Sequence, residues 1–170
     1  DVAIYEKRQK LGGIVSAVIP DFRIDDSVIE KDAALLEKLG VKVFYGREVT
    51  SVKELQEEYD AVILAVGAYK RGQLKLDGKE VRNALEFLEE FNRAKGTVNL
   101  GKHVVVIGGG NTAMDTARAA KRCAGVEHVY LAYRRTKRYM PADEHELLLA
   151  IEDGVEFKEL LAPDRMEEGR

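Results

Sequence analysis

The run VVVIGGGNTAMDTARAA, residues 104–120, constrains the fold of this 170-residue chain more than any other stretch. An apolar strand leads into three glycines, and a helix-forming segment follows. GGGNTA fits the pattern GxGxxA through Gly108, Gly110 and Ala113, with Gly109, Asn111 and Thr112 between them. Gly108 permits the tight turn out of the strand. Gly110 lets a bound group approach the backbone, because any Cβ there would intrude. Ala113 is small enough for the helix to pack close to the sheet. The start of that helix presents free N–H groups and a positive dipole end, which together receive a pyrophosphate. The motif alone is weak; a strand before it, a helix after it and a second strand beyond supply the context it needs. These residues point to a bound dinucleotide, against the alternative of a glycine turn with no ligand. Asp115, one turn into the helix, reads as a loop-orienting or dipole-pairing residue rather than a catalytic one.

The second strand, HVYLAYRR, decides which dinucleotide. A site for NAD usually ends this strand in an acid that accepts from ribose hydroxyls. Here Tyr133 is followed by Arg134, Arg135, Lys137 and Arg138. A carboxylate would repel a 2′-phosphate, whereas guanidinium groups pair with it through charge-assisted bonds. The expectation is NADP(H), with Arg134 and Arg135 nearest the strand end; a solvated basic turn is the alternative.

Strands alternate with helices along the chain, so the fold class is α/β with Rossmann-like parallel sheets. Strands are expected over 2–6, 41–46, 61–64, 103–108, 128–135 and 155–160, and helices over 27–40, 52–59, 83–94, 112–124 and 143–152. Residues 11–24 and 71–79 read as loops, and 162–170 as an exposed tail. The apolar run at 61–64 reads as a strand buried on both faces. VAIYE ends in Glu6, an acid in the ribose-binding position of a further dinucleotide fold. Its own glycine loop is expected roughly 20 residues upstream, before Asp1. The leading segment thus reads as the later part of a second such domain. Three parts follow: 1–70 from that second dinucleotide domain, truncated at its N-terminus, 71–100 a connection with a helix, and 101–170 an incomplete nucleotide domain.

Composition narrows the function classes. A net charge of −3 offers no basic field to recruit nucleic acid. No apolar run reaches the roughly 18 residues of a membrane span, and DVAIYEKRQK is neither a signal nor a transit peptide. Cys123 is the single cysteine. It rules out an intrachain disulfide, argues against a metal or iron–sulfur site built from this chain alone, and suits a reducing cytoplasm. Its place on the apolar side of a helix marks it as a buried small hydrophobe. His103, His128 and His145 show no metal spacing.

Four stretches, VAIYEKRQKLGGIVSAVIPDFRI, YDAVILAVGA, VVVIGGGNTAMDTA and YRRTKRYMPADEHELLLAIEDGVEF, together resemble the NADPH-dependent glutamate synthase small-subunit-like flavoproteins. The selenate reductase subunit branch of that family, large iron–sulfur flavoproteins, is the most similar. The resemblance covers nearly the whole chain. It implies two dinucleotide-binding domains, the NADPH domain inserted into the FAD domain. It also implies roles. Glu6 stands where the family holds the FAD ribose, and Gly12 and Gly13 where the backbone runs beside the flavin pyrophosphate. Ile19, Pro20 and Phe22 stand near the isoalloxazine, with loop anchoring as the plainer alternative for Ile19 and Phe22. Gly67, in AVGA, stands where the chain passes close to cofactor; Val66 replaces a threonine of the family pattern. Met140, in MPA, stands on the nicotinamide side.

The resemblance implies hydride transfer from NADPH to FAD, with no side chain acting as nucleophile or base. Electrons would leave to iron–sulfur clusters elsewhere in the full-length protein or on an electron-accepting subunit. A chain lacking the flavin phosphate loop is expected to bind FAD weakly or not at all, and to be inactive alone. A non-catalytic NAD(P)-binding regulatory or scaffold module would share the glycine loop and the arginines. It would not need Glu6, the glycine pair or IPDFR. A dehydrogenase acting on a small substrate would need a proton donor, for which Tyr133 and Tyr139 qualify by residue type alone.

Overall fold

The computed structural model describes residues 1–68, 76, 78 and 81–166. The expected loop over 71–79 lies, positions 76 and 78 apart, outside the described residues, as do the last four residues of the tail. The chain divides into two units, Asp1–Ala17 with Asp21–Lys70, and Val18–Pro20 with Arg71–Arg170. Among the described residues no helix is long and apolar enough to cross a membrane.

In the first unit, β1 (Ala3–Glu6) and β2 (Lys42–Tyr45) form a parallel pair in which Ala3 faces Lys42 and Glu6 faces Tyr45. Between them run α1 (Gly13–Ala17) and α2 (Asp26–Lys38), and α3 (Val52–Glu58) follows. A parallel pair needs such a crossover. The side chain of Asp25 caps α2, accepting from Ser27 N at 2.8 Å. Gly40, at φ +81, ends it, and Val41 N donates back to Leu36 O at 3.1 Å.

Two expectations change here. Residues 11–24 are not all loop: Gly12 and Gly13, at φ +104 and +53, open the short helix α1. The run at 61–64 forms no strand and is not buried, with Ile63 88% and Leu64 66% exposed. An apolar run becomes a strand only where a sheet edge pairs its backbone. Among the described residues, β1 and β2 pair with each other and with no third strand.

In the second unit, β3 (His103–Ile107), β4 (His128–Tyr133) and β5 (Glu156–Glu159) form a parallel sheet in that order. The helices are α4 (Ala84–Arg93), α5 (Asn111–Arg122) and α6 (Glu144–Glu152). Helix α5 packs on β3 and β4 and also meets α4 and α6, so it is buried on nearly every side. Its alanines 113, 117, 119 and 120 permit that close approach, and Met114 fills the space between layers. Phe87, Leu88 and Phe91 of α4, Val129 and Leu131 of β4 and Leu147 of α6 complete the core. Each such side chain contributes about 2 kcal/mol by leaving water. Asn83 caps α4 and Asp143 caps α6 through side-chain oxygens.

Alternation along β4 turns Val129, Leu131 and Tyr133 toward the helices. His128, Tyr130 and Ala132 lie on the other face, where the neighbouring Val105 stays 59% exposed. Asp153, at the end of α6, accepts from Arg118 at 2.7 Å and Arg122 at 2.6 Å, tying α6 to α5. Burial pushes the Asp153 carboxyl up, but these two guanidinium groups outweigh it and hold it below the usual carboxylate range. Cys123 is buried, and burial raises its thiol pKa against the opposing effect of a hydrogen bond at Val98.

Candidate dinucleotide-binding site

The crossing from β3 to α5 carries the glycine loop. Gly108 continues the sheet, donating to Ala132 O at 3.0 Å, and turns at φ +150. A Cβ on Gly108 would lie 3.1 Å from Ala113 Cβ, so the bare position and the small one together seat the helix against the strand. Gly109 has a different reason to lack a side chain. Its Cβ would stand 2.5 Å from Cε2 of Tyr133, whose ring covers this side of the loop. Around Gly110 there is open space, with no atom within 4 Å of a Cβ placed there.

Gly110 occupies the cap position of α5 and has no side chain to satisfy the first turn. Ala113 N bonds back to Gly110 O at 2.8 Å. Among the described residues the N–H groups of Asn111 and Thr112 have no acceptor, and no acid sits in that first turn. Unsatisfied N–H groups at a helix start beside bare backbone are what an anionic group needs. The Asn111 side chain turns aside, its Oδ1 accepting from Asp143 N at 3.2 Å.

Arg134 and Arg135 follow β4 directly and are exposed. Among the described residues neither guanidinium takes part in an ion pair. The backbone there is held: Leu160 N donates to Arg135 O at 3.3 Å and Leu161 N to Tyr133 O at 3.0 Å. A 3₁₀ turn, Lys137–Tyr139, follows, and Lys137 N donates to Glu159 Oε2 at 2.7 Å. The chain then returns to the glycine loop, where Ala142 N donates to Gly109 O at 3.0 Å. Met140 lines a cavity of about 390 Å³ with Arg138, Ala142 and Leu147. The structure thus brings Tyr133, Ala142 and Asp143 against the glycine loop at Gly109 and Asn111.

The remaining expected positions sit elsewhere. Glu6 ends β1, and its Oε1 accepts from Arg8 N at 2.7 Å, so part of its carboxylate orders its own loop. A Cβ at Gly12 would lie 2.9 Å from Ser16 Cβ and 3.1 Å from Ile29 Cγ2, so bareness there serves the packing of α1 on α2. Gly13 and Gly67 have no atom within 4 Å of a Cβ, at φ +53 and +69. Ile19 is half-buried and its carbonyl accepts from Asn92 Nδ2 at 3.0 Å, while Val18 and Pro20 are the buried residues of that segment. Phe22 is half-buried.

Tyr133, a proton-donor candidate by residue type, serves the structure instead. Its hydroxyl donates to Tyr139 O at 2.6 Å, so it is engaged structurally rather than presented as a proton donor. Period-2 alternation with Val129 and Leu131 was the signal that it points inward.

A parallel sheet whose first strand opens through glycines into an uncapped helix start defines the Rossmann-like class. The chain belongs to the pyridine nucleotide-disulphide oxidoreductase family, whose pattern matches residues 7–159. It is 42% identical to YgfK of Escherichia coli (strain K12) over 171 residues, covering 98% of this chain and 16% of that protein. It is 36% identical to the glutamate synthase [NADPH] small chain of Azospirillum brasilense over 181 residues, covering 96% of this chain and 37% of that one. Among solved structures, FprA of Mycobacterium tuberculosis in complex with NADPH superposes with a TM-score of 0.72 at 26% identity, over 89% of this chain and 40% of FprA. The chain therefore spans well under half the length of these relatives.

Proposed function

We propose that this chain is the NADPH-receiving portion of a larger flavoprotein oxidoreductase. The observation that carries the reading is the pairing of an open Gly110 and two helix N–H groups with two exposed arginines at the end of the adjacent strand, all four without a partner among the described residues. The backbone N–H groups of Asn111 and Thr112 would hold the pyrophosphate. Arg134 and Arg135 would receive the 2′-phosphate, through contacts about twice as strong as neutral hydrogen bonds. Met140 would border the nicotinamide. When bound, NADPH supplies a hydride and FAD accepts it; the protein's part is position and electrostatics.

The fit to FAD is thinner in this chain. Glu6 keeps one oxygen on its own loop and Gly12 serves helix packing, which leaves Gly13, Ile19, Pro20 and Gly67 as the further contacts. In the whole protein, electrons would pass on to iron–sulfur clusters held outside this chain or by a partner, as in the branch it resembles.

Titration of the purified chain with NADPH and NADH tests the reading, with nucleotide fluorescence as the signal. NADPH is expected to bind more tightly than NADH, and the double substitution Arg134→Ala with Arg135→Ala to remove the difference. Equal affinities in the unsubstituted chain, or no effect of the double substitution, would overturn it.

A further inference from the structure

Within the five residues 134–138 stand four cations, Arg134, Arg135, Lys137 and Arg138. Left to itself, an exposed segment of like charges repels and spreads. Discrimination by a 2′-phosphate demands the reverse: cations held at a fixed place relative to the glycine loop. Lys137 is paired with Glu144 at 2.7 Å, whereas among the described residues the three guanidinium groups have no carboxylate partner. Something other than their own side chains must hold them.

Tyr133 lies immediately before this segment and Tyr139 immediately after it. The Tyr133 hydroxyl donates to Tyr139 O at 2.6 Å, closing the cationic segment into a loop. The same ring lies on Gly109, so near that any side chain there would strike it. The bond from Ala142 N to Gly109 O fastens the return of the chain to the same residue. One phenol therefore touches both segments: its ring meets the glycine loop and its hydroxyl shuts the arginine turn.

We infer that Tyr133 is a positioning residue that fixes the cationic turn against the glycine loop and so sets the preference for a 2′-phosphorylated nucleotide. The inference rests on the NADP(H) reading given above. A purely structural role would predict that losing the hydroxyl lowers stability while the ratio of NADPH to NADH affinity stays the same. A positioning role predicts that the ratio itself falls.

The test titrates the whole chain, Tyr133→Phe, and the double variant Arg134→Ala with Arg135→Ala, each with NADPH and with NADH. The expected result for Tyr133→Phe is a loss of NADPH affinity of about three- to tenfold, the range of one hydrogen bond, with NADH changed by less than about twofold. An unchanged ratio in Tyr133→Phe, beside a lost preference in the arginine variant, overturns the inference and leaves the NADP(H) reading standing. No preference in the unsubstituted chain overturns both. Should Tyr133→Phe fail to fold, limited trypsin digestion of the unsubstituted chain decides. Cleavage at Arg134, Arg135 and Arg138 that lags well behind cleavage at the exposed Arg165 supports the clasp, and equal rates overturn it.

Discussion

The two units use the same local grammar and reach different packing. Each places glycines after a parallel strand and then a helix: Gly12 and Gly13 after β1, and Gly108 to Gly110 after β3. In the first unit none of the helices α1, α2 and α3 has a fully buried residue. In the second, Met114, Val129, Leu131 and Leu147 are at 2% exposure or less. The difference is a matter of layers. A two-stranded ribbon has too little face to bury a helix, while in the three-stranded sheet β3 and β4 lie under α5 and, with α4 and α6 beside it, enclose it. A glycine loop gains precision only when the helix behind it is immobilised, and that condition is met at Gly108 to Gly110.

Truncation in the two units is the largest contrast to test. Leu131→Ala is expected to cost about 3 kcal/mol of unfolding free energy, whereas Leu35→Ala, at a 55% exposed position in the first unit, costs under about 0.5 kcal/mol. Denaturant melts with separate probes for the two units check this. Equal losses would mean that the first unit has a core of its own.

Next come the two central glycines. Gly109→Ala drives a methyl into the Tyr133 ring, which its hydroxyl bond holds in place, and is expected to cost about 2 kcal/mol. Gly110→Ala meets open space and is expected to leave stability nearly unchanged while weakening nucleotide binding. Calorimetry for stability and titration for binding separate the two effects.

The Asp153 cluster has a smaller effect with a pH signature. Its carboxyl pKa lies below the unfolded value, so the charged form is favoured in the folded state. That stabilisation is present above about pH 4, the unfolded range, and is lost as pH falls through the lower folded pKa. Asp153→Asn is expected to cost about 1–2 kcal/mol at neutral pH, with the gap to the unsubstituted chain closing as the medium is acidified.

The helix caps give the smallest effect. Removing Asn83 or Asp25 deletes the same kind of bond, worth about 1 kcal/mol. Asn83→Ala should lower the melting of the second unit. Asp25→Ala should increase amide exchange in α2 and leave that melting unchanged.

What the sequence made legible follows from where its signals are local. Helix α2 could be read from Asp25 and Gly40, and helices α4 and α6 start at Asn83 and Asp143, because caps and terminators act within a few residues. The alternation of β4 and the glycine run of β3 set which faces are bare. The strand expected at 61–64 failed because pairing depends on a distant edge that the local run does not encode. The short helix after Gly12 was missed because two glycines at positive φ read equally well as loop. In the glycine loop itself, Gly108, Gly110 and Ala113 had the contacts or the space that the motif demands. The contact between Gly109 and Tyr133 was not legible, because it joins two segments more than twenty residues apart, which spacing within a motif cannot show.

Amide chemical-shift mapping with 2′,5′-ADP, which carries the 2′-phosphate without the nicotinamide, tests the central claim most directly. The account predicts that the largest shifts fall on the amides of Gly109 to Thr112 and on Arg134 and Arg135. Shifts concentrated instead around Glu6, Gly12 and Gly13, or no saturable shifts at all, would contradict it.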